Sequence, residues 1–162
     1  MLAARGAWVL FMDADSSTPI EEWKKFEPYL RQGYEVVIGS RKMPGAAIRV
    51  RQPRLRETLG VVFTQLSNLL VGGSVSDFTC GFKCFQLDAA RRIFALQRLE
   101  GWGFDAEILF IARRLGHRIQ EIPVTWAAAE TTKVRMLRDG LRSFAELLTI
   151  RFEACRGRYP RP

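Results

Sequence analysis

Asp13 and Asp15 stand one residue apart where an apolar run, Ala7-Trp-Val-Leu-Phe-Met12, stops abruptly. Two carboxylates at i and i+2, leaving the end of a buried strand, can both reach one cation in the crevice beyond it. An all-oxygen ligand set favours Mg2+ or Mn2+, ions that tend to share such sites with substrate phosphates. The same pattern also describes a strand running into a polar turn, because Asp is common in turns and Ser16, Ser17 and Thr18 follow. Its place at the end of the apolar run raises the weight of the metal reading.

Other residues of useful chemistry lie downstream. Arg41 follows Ile38-Gly-Ser40, and a guanidinium fork suits phosphate oxygens; the alternative is a surface Arg after a strand. Asp77 and Lys83 flank Cys80-Gly81, where Gly81 permits close backbone approach; they border a phosphate site or an ordinary turn. Asp105 falls at the start of a helix, as a functional carboxylate or as a cap. Glu107, two residues on, reads as solvated or structural. Cys80 and Cys84 read as packed thiols. Three unpatterned cysteines and one histidine do not build a closed zinc site and suit reduced thiols in a cytosolic setting.

The elements that must position these residues alternate strand and helix. Residues 7–12 read as a strand buried on both faces of a parallel sheet. Thr18, Pro19 and Glu21 suggest a capping box opening a helix that ends near Gly33. Residues 34–40 form the next strand, giving a right-handed βαβ unit. Residues 41–52 read as a loop. A helix runs from Pro53 to about Val71, with Leu55, Leu59, Val62, Leu66 and Leu69 at helical spacing. A strand over 82–87, a short helix capped by Asp88, a turn at Gly101-Trp-Gly103 and a helix closed by Gly116 follow. Residues 118–126 alternate and contain Pro123, which predicts an edge or terminal strand. The last helix, amphipathic over 132–156, carries Val134, Leu137, Leu141, Phe144 and Leu148 as its stripe and is expected to cover its own core.

The 162 residues are enough for one domain with a core, and 48% hydrophobic with 26% charged residues is a globular mix. No apolar run approaches the roughly 20 residues of a membrane span, and no secretory signal pattern is visible. The formal charge of +8 points to an anionic partner. Arg41, Lys42, Arg49, Arg51, Arg54 and Arg56 occur with no acid among them. The cations are not interleaved with aromatics as a nucleic-acid stacking platform requires.

The ordered set Asp13-Ala-Asp15, Ile38-Gly-Ser-Arg41, Asp77-Phe-Thr-Cys-Gly-Phe-Lys83, Trp102-Gly-Phe-Asp105-Ala-Glu107 and Glu121-Ile-Pro-Val-Thr-Trp126 resembles the family 2 glycosyltransferases of GT-A fold, most closely the dolichyl-phosphate or polyprenyl-phosphate β-glucosyltransferases. The resemblance runs from about Ala7 to Phe152. It implies an α/β fold with a mixed, mainly parallel sheet flanked by helices. It implies inverting transfer of a sugar, glucose from UDP-glucose or a related donor, to a polyprenyl or dolichyl phosphate. Asp13 and Asp15 would hold Mg2+ or Mn2+ on the donor diphosphate, and Asp105 and Asp77 would be the catalytic carboxylates. Arg41, Gly81 and Lys83 would contact substrate. Because a phosphate acceptor is already anionic, the need for a strong general base is reduced. The basic stretch after Arg41 would face the lipid phosphate and an anionic membrane surface, with the protein at the cytoplasmic face.

Family members begin with a βα unit ahead of the Asp-x-Asp strand that builds much of the nucleotide pocket. The expectation is therefore an N-terminally incomplete domain, the C-terminal portion of a longer enzyme, catalysing little or nothing alone. The rival readings are a haloacid-dehalogenase-like phosphatase, which also opens with a strand and Asp-x-Asp, and a basic module binding nucleic acid or membrane without catalysis.

Overall fold

The computed structural model describes residues 1–50, 53–128 and 136–160. In chain order the elements are β1 (Trp8–Met12), a 3-10 turn (Ile20–Glu22), α1 (Trp23–Arg31), β2 (Val36–Ser40), β3 (Ala47–Val50), α2 (Arg54–Val71), β4 (Phe82–Gln86), α3 (Leu87–Leu96), α4 (Phe104–Arg114), β5 (Ile119–Pro123), β6 (Thr125–Ala127) and α5 (Met136–Cys155). The main sheet has the order β1-β4-β2-β5. β4 lies between β1 and β2 and runs antiparallel to both, while β2 and β5 are parallel. Three strands thus share one direction, yet most of the pairing in this sheet is antiparallel, because the reversed strand sits inside it.

Period-two alternation sends the strand residues to opposite faces. Val37, Phe82 and Cys84 pack with Phe26 and Leu30 of α1 on one side. Val36, Ile38 and Phe85 pack with residues of α3, α4 and α5 on the other. β1 follows this rule too, with Trp8, Leu10 and Met12 toward α1 and Val9 and Phe11 toward the larger cluster. Both its faces are covered, as a continuous apolar run implies. It is nevertheless not an interior strand of a parallel sheet: among the described residues β4 is its one partner, and most of β1 is half-buried.

Three local expectations change. Thr18 does not cap a helix; the chain enters through Pro19 into the 3-10 turn, which has no side-chain cap, and α1 starts at Trp23. The loop is tied instead to β6: Ser17 O accepts from Ala127 N at 2.9 Å, and the Glu22 carboxylate accepts from Thr125 N at 3.1 Å. Within the expected loop 41–52 lies β3, parallel to β6 in a second, two-stranded sheet. The single strand expected over 118–126 divides at Val124, whose N–H bonds Ser40 O and whose C=O accepts from Ala47 N, both at 3.2 Å. One buried residue thus hands the chain from the large sheet to the small one.

The long helices depart most from expectation. α2 packs against α5 and α4 through buried Thr64, Ser67 and Val71 and through half-buried Phe63, Leu66 and Leu70, of which Leu66 belongs to the predicted stripe. Leu55, Leu59, Val62 and Leu69 of the predicted stripe face outward, and Leu69 is 79% exposed. α5 buries Ser143, Leu147 and Ile150, while Leu141 (74% exposed), Phe144, Leu148 and Phe152 face outward. Leu141, Phe144 and Leu148 of the expected stripe thus do not cover the core, while Val134, with the rest of 129–135, and the side chain of Leu137 lie outside the described residues. Periodicity identifies a face but not the side to which it turns.

Candidate active site

β1 delivers Asp13 to the site. Its ladder with β4 continues one step past the strand, with Asp13 N donating to Gly81 O at 2.9 Å. The Asp13 carboxylate then lies over Gly81, where an added Cβ would land on it. The space beside Gly81 is thus filled by a carboxylate of the chain itself, where the sequence suggested approach of a phosphate. Asp15 follows in the turn, and its Oδ1 accepts from Ser17 N at 2.9 Å. Ser16 between them takes a positive φ of 53°, a conformation that costs a residue with a Cβ and is held here by the bonds on either side.

α4 delivers Asp105 from its first turn. Lys83, the second residue of β4, points to the same side as Phe85. Its side chain has no exposed surface, and Nζ donates to Asp105 Oδ1 at 2.7 Å and to Cys80 O at 2.6 Å. Lys83 is thus not an open phosphate contact but a buried cation beneath the carboxylates. Asp105 keeps a partly exposed side chain. Burial first, then the charges of Asp105 and Asp15, push the Asp13 carboxyl above its usual range, with Lys83 and Arg41 acting the other way. Asp13 keeps open surface as a residue, and the charges of Asp105 and Asp15 both reach it. Like charges this close favour protonation or a bound cation.

A second network stands beside the first. Asp77 has no exposed side-chain surface, and both its oxygens are taken by Arg41: Nε at 2.7 Å, a terminal nitrogen at 2.8 Å and the Arg41 backbone N–H at 3.0 Å. Burial alone would raise the Asp77 carboxyl, but the hydrogen bonds and charge of Arg41 hold it below its usual range. Arg41 also bonds Thr79 Oγ1 at 2.8 Å and stacks over Trp126, its carbon 5.2 Å from the ring centre. Asp77, expected as a catalytic carboxylate, is buried and paired with Arg41, and Arg41, expected as a phosphate clamp, is paired with it while its side chain keeps 18% exposure.

Glu121 of β5 completes this network, and sequence reasoning did not single it out. It accepts from Ser76 N at 2.9 Å and Ser76 Oγ at 2.8 Å, while Ser40 Oγ lies 2.7 Å from Ser76 Oγ. The signal was nevertheless present, since Gly-Ser-Arg, Asp-Phe-Thr-Cys-Gly and Glu-Ile-Pro-Val-Thr-Trp are three pieces of this one hydrogen-bonded unit. Glu107, read as solvated or structural, is structural: it is fully buried and takes the N–H groups of Arg98 and Leu99 and the Tyr159 hydroxyl. Cys80 and Cys84 are buried and free, with thiols pushed up to about 11 and about 12, chiefly by burial.

The model of one family, "Glycosyl transferase family 2", matches residues 1–94, more than half of the chain. The chain belongs to glycosyl transferase family 2. Dolichyl-phosphate beta-glucosyltransferases are among its relatives: that of Dictyostelium discoideum is 29% identical over 94% of this chain and 48% of its own length, and that of Saccharomyces cerevisiae 30% identical over 98% and 51%. The human protein of that name is 30% identical over 97% of this chain and 50% of its own. The chain spans about half the length of the curated relatives it matches. Family 2 membership also fits the mixed α/β architecture flanked by helices, as a GT-A fold requires, and leaves the phosphatase reading without support.

For a family 2 chain the site divides cleanly. Asp13, Asp15 and Asp105 offer carboxylate oxygen at a partly open surface, and Arg41, Asp77, Ser76 and Glu121 are the frame behind it. Among the described residues no group of three or more His, Cys, Asp and Glu side chains is arranged to hold a metal ion. Asp13 and Asp15 alone form a two-carboxylate, all-oxygen set, which suits an ion that keeps waters and phosphate oxygens as its other ligands.

Proposed function

We propose that this chain carries the diphosphate and acceptor side of a transferase that moves glucose, or a closely related sugar, from a nucleotide-sugar donor to a polyprenyl or dolichyl phosphate with inversion. The supporting observation is the convergence of Asp13, Asp15 and Asp105 above buried Lys83. The names of the relatives supply the sugar and the lipid class.

In this reaction an oxygen of the acceptor phosphate forms a bond to the anomeric carbon as the bond from that carbon to the donor diphosphate breaks. The electron pair departs with the nucleoside diphosphate. The attacking oxygen is already anionic, so no side chain has to remove a proton from it. Asp105, fixed by Lys83 yet partly exposed, is the carboxylate available to the acceptor side and acts by orientation. Asp13 and Asp15 would hold Mg2+ or Mn2+ against the donor diphosphate; when bound, the ion would offset the charge developing on the leaving group.

The test uses the full polypeptide that carries these residues, UDP-glucose with a labelled sugar, a polyprenyl phosphate and Mg2+ or Mn2+. Label is expected in the lipid extract, and Asp15→Ala is expected to abolish it. Undiminished transfer by Asp15→Ala overturns the site. Mn2+ binding followed by paramagnetic resonance gives a readout independent of turnover and should be lost in the same variant.

A further inference from the structure

Three carboxylates act on one end of β1, yet they do not form a ligand set. Among the described residues no three His, Cys, Asp or Glu side chains are arranged to hold a metal ion. After burial, the charge of Asp105 is the largest influence raising the Asp13 carboxyl, ahead of that of Asp15 two residues on. A third anionic oxygen donor normally tightens a divalent-cation site, because affinity is tuned by the number of charged ligands. Some feature of the chain has to keep Asp105 out of it.

Lys83 is placed to do so. Its side chain has no exposed surface, and Nζ donates to Asp105 Oδ1 at 2.7 Å and to Cys80 O at 2.6 Å. Cys80 O belongs to the peptide that leads into Gly81, the glycine over which the Asp13 carboxylate lies. One ammonium thus joins Asp105 to the stretch of chain that carries Asp13. A charged side chain without exposed surface depends on its partner, since loss of one leaves the other uncompensated, so this pair is fixed where a surface pair would exchange with water. Asp105 keeps 22% of its side chain exposed, so it is held without being covered. Arg41, the other cation acting on Asp13, is already engaged by Asp77.

We propose that Lys83 is a positioning residue that divides the carboxylates between two tasks: by tying Asp105 to the chain at Cys80, it withholds this side chain from the cation of Asp13 and Asp15 and keeps it for the acceptor. The inference rests on the reading of Asp13 and Asp15 as the cation-holding pair. It differs from the substrate contact first expected of Lys83, since the ammonium acts through Asp105 and meets no substrate.

The test is a double-mutant cycle of Lys83→Met and Asp105→Asn on the full polypeptide, read by Mn2+ titration with paramagnetic resonance in the absence of donor and acceptor. Asp105→Asn alone should change the Mn2+ dissociation constant less than threefold, because Asp105 is held away from the ion. Lys83→Met alone should bind Mn2+ more tightly than wild type. In that background Asp105 is free to turn to the ion, and Asp105→Asn should weaken binding at least tenfold. A through-space effect of charge is the same in both backgrounds, so equal effects of Asp105→Asn overturn the proposal. A tenfold loss with Asp105→Asn alone also overturns it, by making Asp105 a ligand in the native protein, and this arm stands even where Lys83→Met does not fold. Transfer gives a second readout: KM for the polyprenyl phosphate should rise at least fivefold in Lys83→Met, and unchanged kcat/KM overturns the division of tasks. Absent Mn2+ binding by wild type, or binding that survives Asp15→Ala, removes the cation reading itself. An additive cycle on a wild type whose binding is lost with Asp15→Ala removes only the role of Lys83.

Discussion

Asp77→Asn separates frame from catalysis. The substitution keeps the shape of the side chain and removes the charge opposite Arg41, whose side chain is only 18% exposed. It also places an amide N–H among three Arg41 donors. Removing one partner of a buried ion pair costs about 3–5 kcal/mol, because the other charge is left uncompensated. At about 2–4 °C per kcal/mol for a chain of this size, the midpoint should fall by about 6–20 °C. The pH dependence gives a sharper check. The Asp77 carboxyl is held below its ordinary value of 3.8 by Arg41, so the pair's contribution is complete above that value and disappears as pH falls through the lower, folded one. Asp13, whose carboxyl is raised, has the opposite sign: its ionised form is disfavoured in the fold, and acidification relieves it. Both proteins contain Asp13, so the difference between them isolates Asp77. Urea denaturation at pH 7 and at pH 3 should show a large gap between wild type and Asp77→Asn that narrows on acidification. An unchanged midpoint at pH 7, with transfer activity lost, would refute the frame and restore Asp77 to the chemistry.

Asp13→Asn should leave the protein as stable as wild type or more so at neutral pH, while abolishing Mn2+ binding; scanning fluorimetry showing a clear loss of stability would contradict the crowding of carboxylates. Gly81→Ala should displace the Asp13 carboxylate and weaken Mn2+ binding at least tenfold in a titration, and full affinity would show that the carboxylate has room elsewhere. Reaction of native protein with a thiol-specific disulfide reagent should modify Cys155 quickly, since it is exposed, and Cys80 and Cys84 only on unfolding; rapid labelling of a second thiol would argue against their burial.

Most strands and the helix ends at Gly72 and Gly116 were legible because each has a local signature, an apolar run or a positive-φ glycine, whereas a shared site for Asp13 and Asp105 was implied only by the family resemblance. What was not legible depends on distant partners. Lys83 looks like any strand lysine until Asp105, 22 residues on, is placed beside it. β3 is short and mostly exposed, and it exists because β6 lies parallel to it. The outward turn of both helix stripes has a different cause. A sequence assumes water on the polar side of an amphipathic helix, and here the inner side mixes Thr64, Ser67 and Ser143 with Phe63, Leu66, Leu70, Val71, Leu147 and Ile150.

The turn before α4 carries a consequence for how the sequence can change. Glu146 of α5 accepts from Gly103 N at 2.6 Å and pairs with Arg142 at 2.9 Å. Its side chain occupies the space where a Cβ would project from Gly101 and from Gly103. These three positions are therefore coupled: a side chain at Gly103 would meet the Glu146 Cβ, one at Gly101 would displace the Glu146 carboxylate, and shortening Glu146 removes the bond that sets the start of α4. A change at 103 or 101 acts on Glu146, and a change at 146 acts on the turn, so substitutions at these positions are not independent. Asp105, two residues past Gly103, takes its position from a carboxylate on another helix.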